Sequence, residues 1–263
     1  TTLVGLNADD VYTSEDGRVW TKTGPAFQAY FRDIAQGAGL YVAVGDRGFY
    51  SSPDLVTWTK RNLPFYPDTN GASSVARGND LFVAVGRETH VSANGIDWTP
   101  VALPAGMQLA SVAFDGTRFV GAGASSTGTG DAVGAIATSV DGVVWTRRTA
   151  SAPGLLEKVA YVGGKYIAIS SAENFALVSS DAITWTRHDF GFGMMAGRLC
   201  SIGYAFGRYL IGAGSQRYFT SPDANFWTVT DGPAGMVANT FVLKSSRLLA
   251  IGTDRSVFAS SDA

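Results

Sequence analysis

Six tryptophans stand at a near-regular period along the chain: Trp20, Trp58, Trp98, Trp145, Trp185 and Trp227, spaced by 38, 40, 47, 40 and 42 residues. Each is followed by threonine, from Thr21 to Thr228, and preceded four residues earlier by an acid or its amide: Asp16, Asp54, Asn94, Asp141, Asp181 and Asp223. Two residues before that position is always serine (Ser14, Ser52, Ser92, Ser139, Ser179 and Ser221), and Ser260-Ser261-Asp262 opens a seventh copy. Such a repeat constrains the fold more than any composition figure. A unit this short cannot bury its own apolar face and must stack on its neighbours.

A second pattern lies upstream of each box. Ile34-Ala35 is followed by a turn and then by Leu40-Tyr41-Val42-Ala43-Val44-Gly45, and Val75-Ala76 by Leu81-Phe82-Val83-Ala84-Val85-Gly86. Later copies centre on Val112-Ala113, Val159-Ala160, Ile202-Gly203 and Phe241-Val242. These runs are short, β-branched or aromatic, and bounded by Gly, Asp and Asn, which is the signal for strands joined by tight turns. No segment carries the i, i+3, i+4, i+7 apolar face of a helix. Each unit thus supplies four short strands, labelled a to d in chain order, with the box as the turn between c and d. The pattern predicts an all-β chain, a seven-bladed β-propeller of four-stranded antiparallel blades with six blades as the fallback, forming a single domain over residues 1–263. Strand a is nearest the axis, where Ala35, Ala76, Ala113, Ala160 and Gly203 suit the crowding. Within the box, Ser and Asp oxygens are expected to accept backbone N–H groups of the turn. The indole is expected to act as the wedge between blades.

Composition removes several function classes. The net charge is −2 and charged residues make up 16% of the chain, so there is no basic footprint for nucleic acid. One cysteine, Cys200, allows no internal disulfide, and two distant histidines, His90 and His188, supply neither a multi-histidine metal site nor much material for a nucleophilic relay. No apolar run approaches the ~18 residues of a membrane span. The opening Thr1-Thr2-Leu3 lacks a signal-peptide pattern and an initiator methionine, as in a mature product or an excised piece of a longer chain. Calcium-loop spacing and glycine-rich phosphate loops are absent as well, so no cofactor and no metal is expected.

Ser14-Glu15-Asp16-Gly17-Arg18-Val19-Trp20-Thr21 resembles the Asp-box, or BNR, repeat of sialidase-like propellers. The likeness extends over nearly the whole chain. It departs from the usual Ser-x-Asp-x-Gly-x-x-Trp form in that glycine directly follows the acid. The resemblance implies a propeller. It implies less about activity, because in sialidases the boxes lie on the face away from the catalytic pocket. A sialidase would also need three arginines on the substrate carboxylate, a tyrosine nucleophile supported by glutamate, and an aspartate acid/base. The chain has only four glutamates, Glu15, Glu88, Glu157 and Glu173.

A ligand site is expected on the face opposite the boxes, built from the d–a and b–c connections. Arg47, Arg87, Arg217 and Arg255 fall on b–c turns, four or five residues before a box serine. Arg32 and Arg198 stand near the starts of inner strands, as does Glu157. Planar guanidinium groups gathered at one mouth would suit a carboxylate or sulfate. The d–a connections also carry Phe27, Tyr30, Phe31, Phe65, Tyr66, Phe190, Phe192, Met194, Met195 and Met236, and an insertion, Ala124–Asp131, lengthens one b–c turn. The expected function is a non-enzymatic binding or structural propeller with no catalytic residues. It would be a phage-tail, virion or bacterial surface module, an adhesin or receptor-binding part, outside the cell, recognising a cell-surface glycan or protein. Neither nucleic acid nor membrane insertion is expected, and assembly into an oligomer would suit such a part. The alternative is a sialidase-type glycoside hydrolase.

Overall fold

The computed structural model describes residues 2–6, 9–24, 27, 29–63, 71–126, 132–190, 198–232, 240–244, 247–251 and 257–260. These residues form twenty-six strands and no helix, and so no helix long and apolar enough to cross a membrane. The first sheet has three strands, β1 (Leu3–Leu6), β2 (Val11–Ser14) and β3 (Thr21–Thr23). The second is β4 (Phe31–Gly37), β5 (Leu40–Gly45), β6 (Gly48–Ser52) and β7 (Thr59–Arg61). The third is β8 (Ala72–Gly78), β9 (Leu81–Gly86), β10 (Thr89–Ser92) and β11 (Thr99–Val101). The fourth follows as β12 (Met107–Phe114), β13 (Phe119–Ser125), β14 (Val133–Ser139) and β15 (Thr146–Pro153). The fifth is β16 (Lys158–Val162), β17 (Lys165–Ser170), β18 (Phe175–Ser179) and β19 (Thr186–Asp189). The sixth is β20 (Leu199–Ala205), β21 (Arg208–Ala213), β22 (Arg217–Ser221) and β23 (Thr228–Asp231). The last has three strands, β24 (Thr240–Lys244), β25 (Arg247–Ile251) and β26 (Val257–Ser260).

The four-strand grammar of the repeat therefore holds, but seven complete blades are not formed. Among the described residues the first sheet lacks an inner strand and the last lacks an outer one, so neither terminal sheet is a full blade. The fold is an all-β propeller of four-stranded antiparallel blades, and the six-bladed count is the one that matches.

The described residues fall into two compact units, one of Thr1–Gly130 with Ile136–Arg148 and one of Asp131–Ala135 with Thr149–Ala263. In the first unit the tryptophans wedge the sheets as their spacing predicts. Trp58 packs with Val11, Phe27, Phe31 and Ala43 between the first and second sheets. Trp98 packs with Val42, Val44, Phe49, Val75 and Phe82 between the second and third. Trp145 does the same with Val83, Val85, Leu109 and Phe119 one sheet further on. In the second unit Trp227 joins Ile167, Ile169, Phe190, Tyr209 and Phe219. Each of these four indoles thus fills the gap between its own sheet and the one before it. Strand b is buried on both faces, and its alternation sorts side chains between two cores. Val42 and Val44 belong to one interface and Ala43 to the other.

Each box closes on itself. In the first, Ser14 Oγ donates to Asp16 Oδ1 (3.2 Å), which accepts the N–H groups of Arg18 (2.8 Å) and Val19 (3.0 Å). Ser52–Asp54, Ser92–Asn94, Ser139–Asp141, Ser179–Asp181 and Ser221–Asp223 repeat the serine bond. Four of the six indoles donate Nε1–H back to the carbonyl three residues earlier, as Trp58 does to Leu55 (2.9 Å). The residue after the acid takes positive φ in all six boxes. It is glycine at 17, 95 and 142, but Leu55, Ala182 and Ala224 take the same conformation at φ of 65, 62 and 62°, each at a cost of about 1–2 kcal/mol.

Adjacent inner strands are laced by side chains. Asp33 Oδ2 on β4 accepts Ser74 Oγ–H (2.8 Å) and the Val75 N–H (3.0 Å) on β8. Ser74 Oγ in turn accepts the Val112 N–H on β12 (3.3 Å). The same strands carry a β-bulge at matching places, between Phe31 and Asp33, Ala72 and Ser74, Leu109 and Ser111, and Leu199 and Ser201.

Candidate functional site

The bulges place one extra residue per inner strand at the end opposite the boxes: Arg32, Ser73, Ala110 and Cys200. A bulge re-aims its side chain out of the ladder. In the second sheet this produces the most developed cluster of the first unit. The chain enters β4 through Ala29 and Tyr30, with Tyr30 in the left-handed region at φ 50°. Two backbone bonds then tie the β5–β6 turn to it, Asp46 N–H to the Tyr30 carbonyl and Arg47 N–H to the Ala29 carbonyl, both 3.2 Å. Gly45 is required for this approach, since a Cβ there would lie 2.5 Å from the Tyr30 carbonyl oxygen and 2.6 Å from that of Ala29. From the next d–a connection, Gly71 presses on Asp46.

On that frame, Arg32 reaches Asp46 through two bonds, Nε to Oδ1 at 2.9 Å and Nη2 to Oδ2 at 2.8 Å. The Asp46 bond raises the guanidinium pKa above its ordinary value. Both side chains are about half exposed, so the pair is worth only about 0–1 kcal/mol in stability. Its effect is to hold Asp46 and fix the turn. The Arg47 guanidinium lies 4.8 Å from the centroid of the Tyr30 ring, and that ring is 43% exposed. Among the described residues Arg47 makes no ion pair. An aromatic ring with a cation over it, unpaired among the described residues, is thus presented to solvent. Such a surface can stack a flat or apolar ligand face and take one anionic group.

The seven residues singled out by sequence are only partly gathered. Arg32 and Arg47 meet at one turn. Arg87 is exposed at the β9–β10 turn of the next sheet. In the second unit Glu157 accepts the Ser171 N–H (2.8 Å) and so ties the b–c turn to its own inner strand. The carbonyl of Arg198 accepts the Gly214 N–H (2.7 Å), which puts Arg198 at the station Tyr30 occupies in the second sheet. Arg217 is paired with Asp231 (3.1 Å). Arg255 lies outside the described residues, as do Phe65, Tyr66, Phe192, Met194, Met195, Met236 and most of the 124–131 insertion. Phe27, Phe31 and Phe190 are buried packing residues. Tyr30 is the ring that sequence reading could not separate from these neighbours. Its signal was faint: an aromatic two residues before an inner-strand arginine, whose positive φ no composition rule forecasts.

Burial pushes the phenols of Tyr50 and Tyr209 above the ordinary range, and pushes the Cys200 thiol up as well. Of the glutamates, Glu157 holds a backbone amide, Glu15 accepts the Thr2 hydroxyl (2.6 Å), and Glu88 lies 3.7 Å from His90. Among the described residues no three His, Cys, Asp or Glu side chains gather to hold a metal.

No family model matches the sequence, and no curated protein matches it either. Solved structures do match in fold. A virginiamycin B lyase from Staphylococcus aureus superposes with a TM-score of 0.77 at 9% identity, over 95% of this chain and 87% of that one. The WD40 propeller domain of Doa1 gives 0.71 at 12% identity, over 98% and 88%. YCF48 bound to D1 peptide gives 0.68 at 17% identity, over 89% and 80%. The three differ in role, and at these identities the likeness establishes the β-propeller fold alone.

Proposed function

We propose that this propeller is a non-enzymatic binding module that engages a carboxylate- or sulfate-bearing group of a cell-surface glycan. The Tyr30–Arg47 plate, buttressed by Arg32 and Asp46, makes the contact. The observation that carries the reading is an exposed aromatic ring held in a strained backbone conformation, with a guanidinium over it that makes no ion pair among the described residues. Strain of about 1–3 kcal/mol persists only where the surroundings enforce it. Low charge, strands rich in Gly, Ser and Thr, and the lack of cysteine pairs suit a phage-tail or bacterial surface part.

A second reading takes the same plate as a receptor for an acidic peptide. It is favoured by one structural neighbour, YCF48, having a peptide bound. An array of sialylated, uronic-acid and sulfated glycans, run beside a panel of acidic peptides, separates the two. Binding to acidic glycans that falls roughly ten-fold or more on Arg47→Ala and on Tyr30→Gly supports the proposal. Tyr30→Gly keeps the backbone conformation and removes only the ring. Glycan binding indifferent to both variants overturns the proposal, and binding to peptides alone moves the assignment to the second reading.

A further inference from the structure

The third box differs from the other five in holding an amide, Asn94, where they hold an acid, and glycine follows it. Asn-Gly is among the pairs most prone to spontaneous deamidation, because no side chain screens the glycine nitrogen from the asparagine amide carbon. In that reaction the Gly95 nitrogen gives up its proton to solvent base and bonds to Asn94 Cγ. The bond from Cγ to Nδ2 breaks and ammonia leaves. Water then adds to the cyclic imide and opens one or other of its C–N bonds, which leaves aspartate or isoaspartate at 94. Solvent water is the one co-reactant.

The box engages both reacting groups elsewhere. Gly95 takes φ of 71°, and a Cβ on it would lie 2.7 Å from Val42 Cγ2 of the sheet before. Glycine therefore suits the fold at the place where it makes the asparagine labile. Gly95 is buried, and its N–H donates to Ser92 Oγ at 2.8 Å. Asn94 Oδ1 accepts the N–H groups of Ile96 and Asp97 at 2.9 Å each, and the Ser92 hydroxyl at 3.1 Å. Its Nδ2 donates to Asp97 Oδ2 at 2.9 Å. The side-chain amide is thus anchored through oxygen and nitrogen alike, and the attacking nitrogen keeps its proton in a buried bond. Asp97 is peculiar to this box as well. The matching residues in the others are Val19, Thr57, Val144, Thr184 and Phe226, so the amide and the carboxylate that holds it occur together.

We infer that Asn94-Gly95 is a deamidation site gated by its own box, inert while the turn is closed and reactive through opening of the turn. The bonds that must break to free the Gly95 N–H and the Asn94 amide are the ones that close the turn, so the rate follows the local opening equilibrium. Neither product closes the turn as before. Aspartate sets a carboxylate oxygen where Nδ2 donated, against Asp97 Oδ2, and like charges so placed disfavour one another. Isoaspartate lengthens the backbone by one methylene between Ser92 and Trp98, the indole packed between the second and third sheets. Opening therefore leaves a permanent mark at the joint of those sheets, readable as one added negative charge.

The test follows the full chain in mildly alkaline buffer by peptide mapping and mass spectrometry. Its references are the peptide Ser-Ala-Asn-Gly-Ile-Asp-Trp, that of residues 92–98, and the chain unfolded in urea. Asn94 in the folded chain is expected to deamidate at least about a hundred-fold more slowly than in either reference. Across a urea series below the unfolding transition, that rate is expected to follow amide exchange at Gly95. Ser92→Ala removes the acceptor of the Gly95 N–H and is expected to speed the reaction roughly ten-fold or more. The urea series uses unmodified protein, so misfolding of the variant cannot decide the outcome. A folded chain that deamidates within about three-fold of the peptide overturns the inference. So does a deamidation rate that diverges from Gly95 exchange across the series, and so does a folded Ser92→Ala chain as slow as the parent.

Discussion

At the scale of single residues, close approach decides more than charge does. Gly45 is the clearest case, because the turn that carries Asp46 and Arg47 is pinned under the carbonyls of Ala29 and Tyr30. Gly45→Ala is expected to cost about 1–3 kcal/mol through forced separation of the two segments and to weaken ligand binding by displacing Arg47. Urea denaturation reads the first effect, and an unchanged midpoint would show that the turn can relax around a methyl group. The box acids behave differently. They are exposed, yet their turns are self-contained because one carboxylate oxygen satisfies two amides and a hydroxyl. Asn94 does the same work without a charge, its Oδ1 accepting the N–H groups of Ile96 and Asp97 at 2.9 Å each.

At the scale of elements, stability resides in the gaps between sheets. Trp98 is 4% exposed, with Phe49 at a centroid distance of 4.7 Å and an interplanar angle of 83°. Trp98→Ala is expected to destabilise by about 3–5 kcal/mol, measured by chemical denaturation; a loss below ~1 kcal/mol would mean the indole is not the wedge. The inner-strand lacing offers a second test. Asp33→Ala strands the Ser74 hydroxyl and the Val75 amide and is expected to cost about 1–3 kcal/mol. Asp33→Ser should recover most of it, since Ser74 serves that role one sheet on. A serine variant as unstable as the alanine one would disprove a side-chain lace. The outer strands show the opposite design. Thr59, Lys60 and Thr99 are exposed, and Pro100 sits within β11. Charge and proline on an outer strand discourage edge-to-edge association.

At the scale of the whole molecule, the boxes act together on pH dependence. Backbone N–H groups lower the carboxyls of Asp54, Asp181 and Asp223 from 3.8 to about 2, and lower those of Asp16 and Asp141 in the same way. A carboxyl depressed in the folded state contributes stability that is present above its unfolded pKa and lost as pH falls through the folded one. The melting temperature should therefore hold steady near neutrality and fall between about pH 4 and pH 2, with salt reducing the effect because these acids face water. Asp54→Asn should flatten that limb slightly, and an acid limb centred well above pH 4 would assign it to other groups. Much of this was legible in the sequence. The six Ser-x-Asp/Asn-x-x-x-Trp-Thr boxes and the alternating runs before them fix the strands, the c–d turns and the wedging indoles, because the physics there is local or repeated: hydrogen bonds within a turn, and a period-two face that must be covered. Tertiary structure alone decided the rest. That Arg32 pairs with Asp46 while Arg47 lies over Tyr30 depends on a bulge and on the positive φ of Tyr30, which arise where two turns are forced together. That the first unit lacks strand a was legible, since Thr2–Leu6 reads as strand b, whereas only packing shows that Val4, Ile34 and Tyr41 line one cavity.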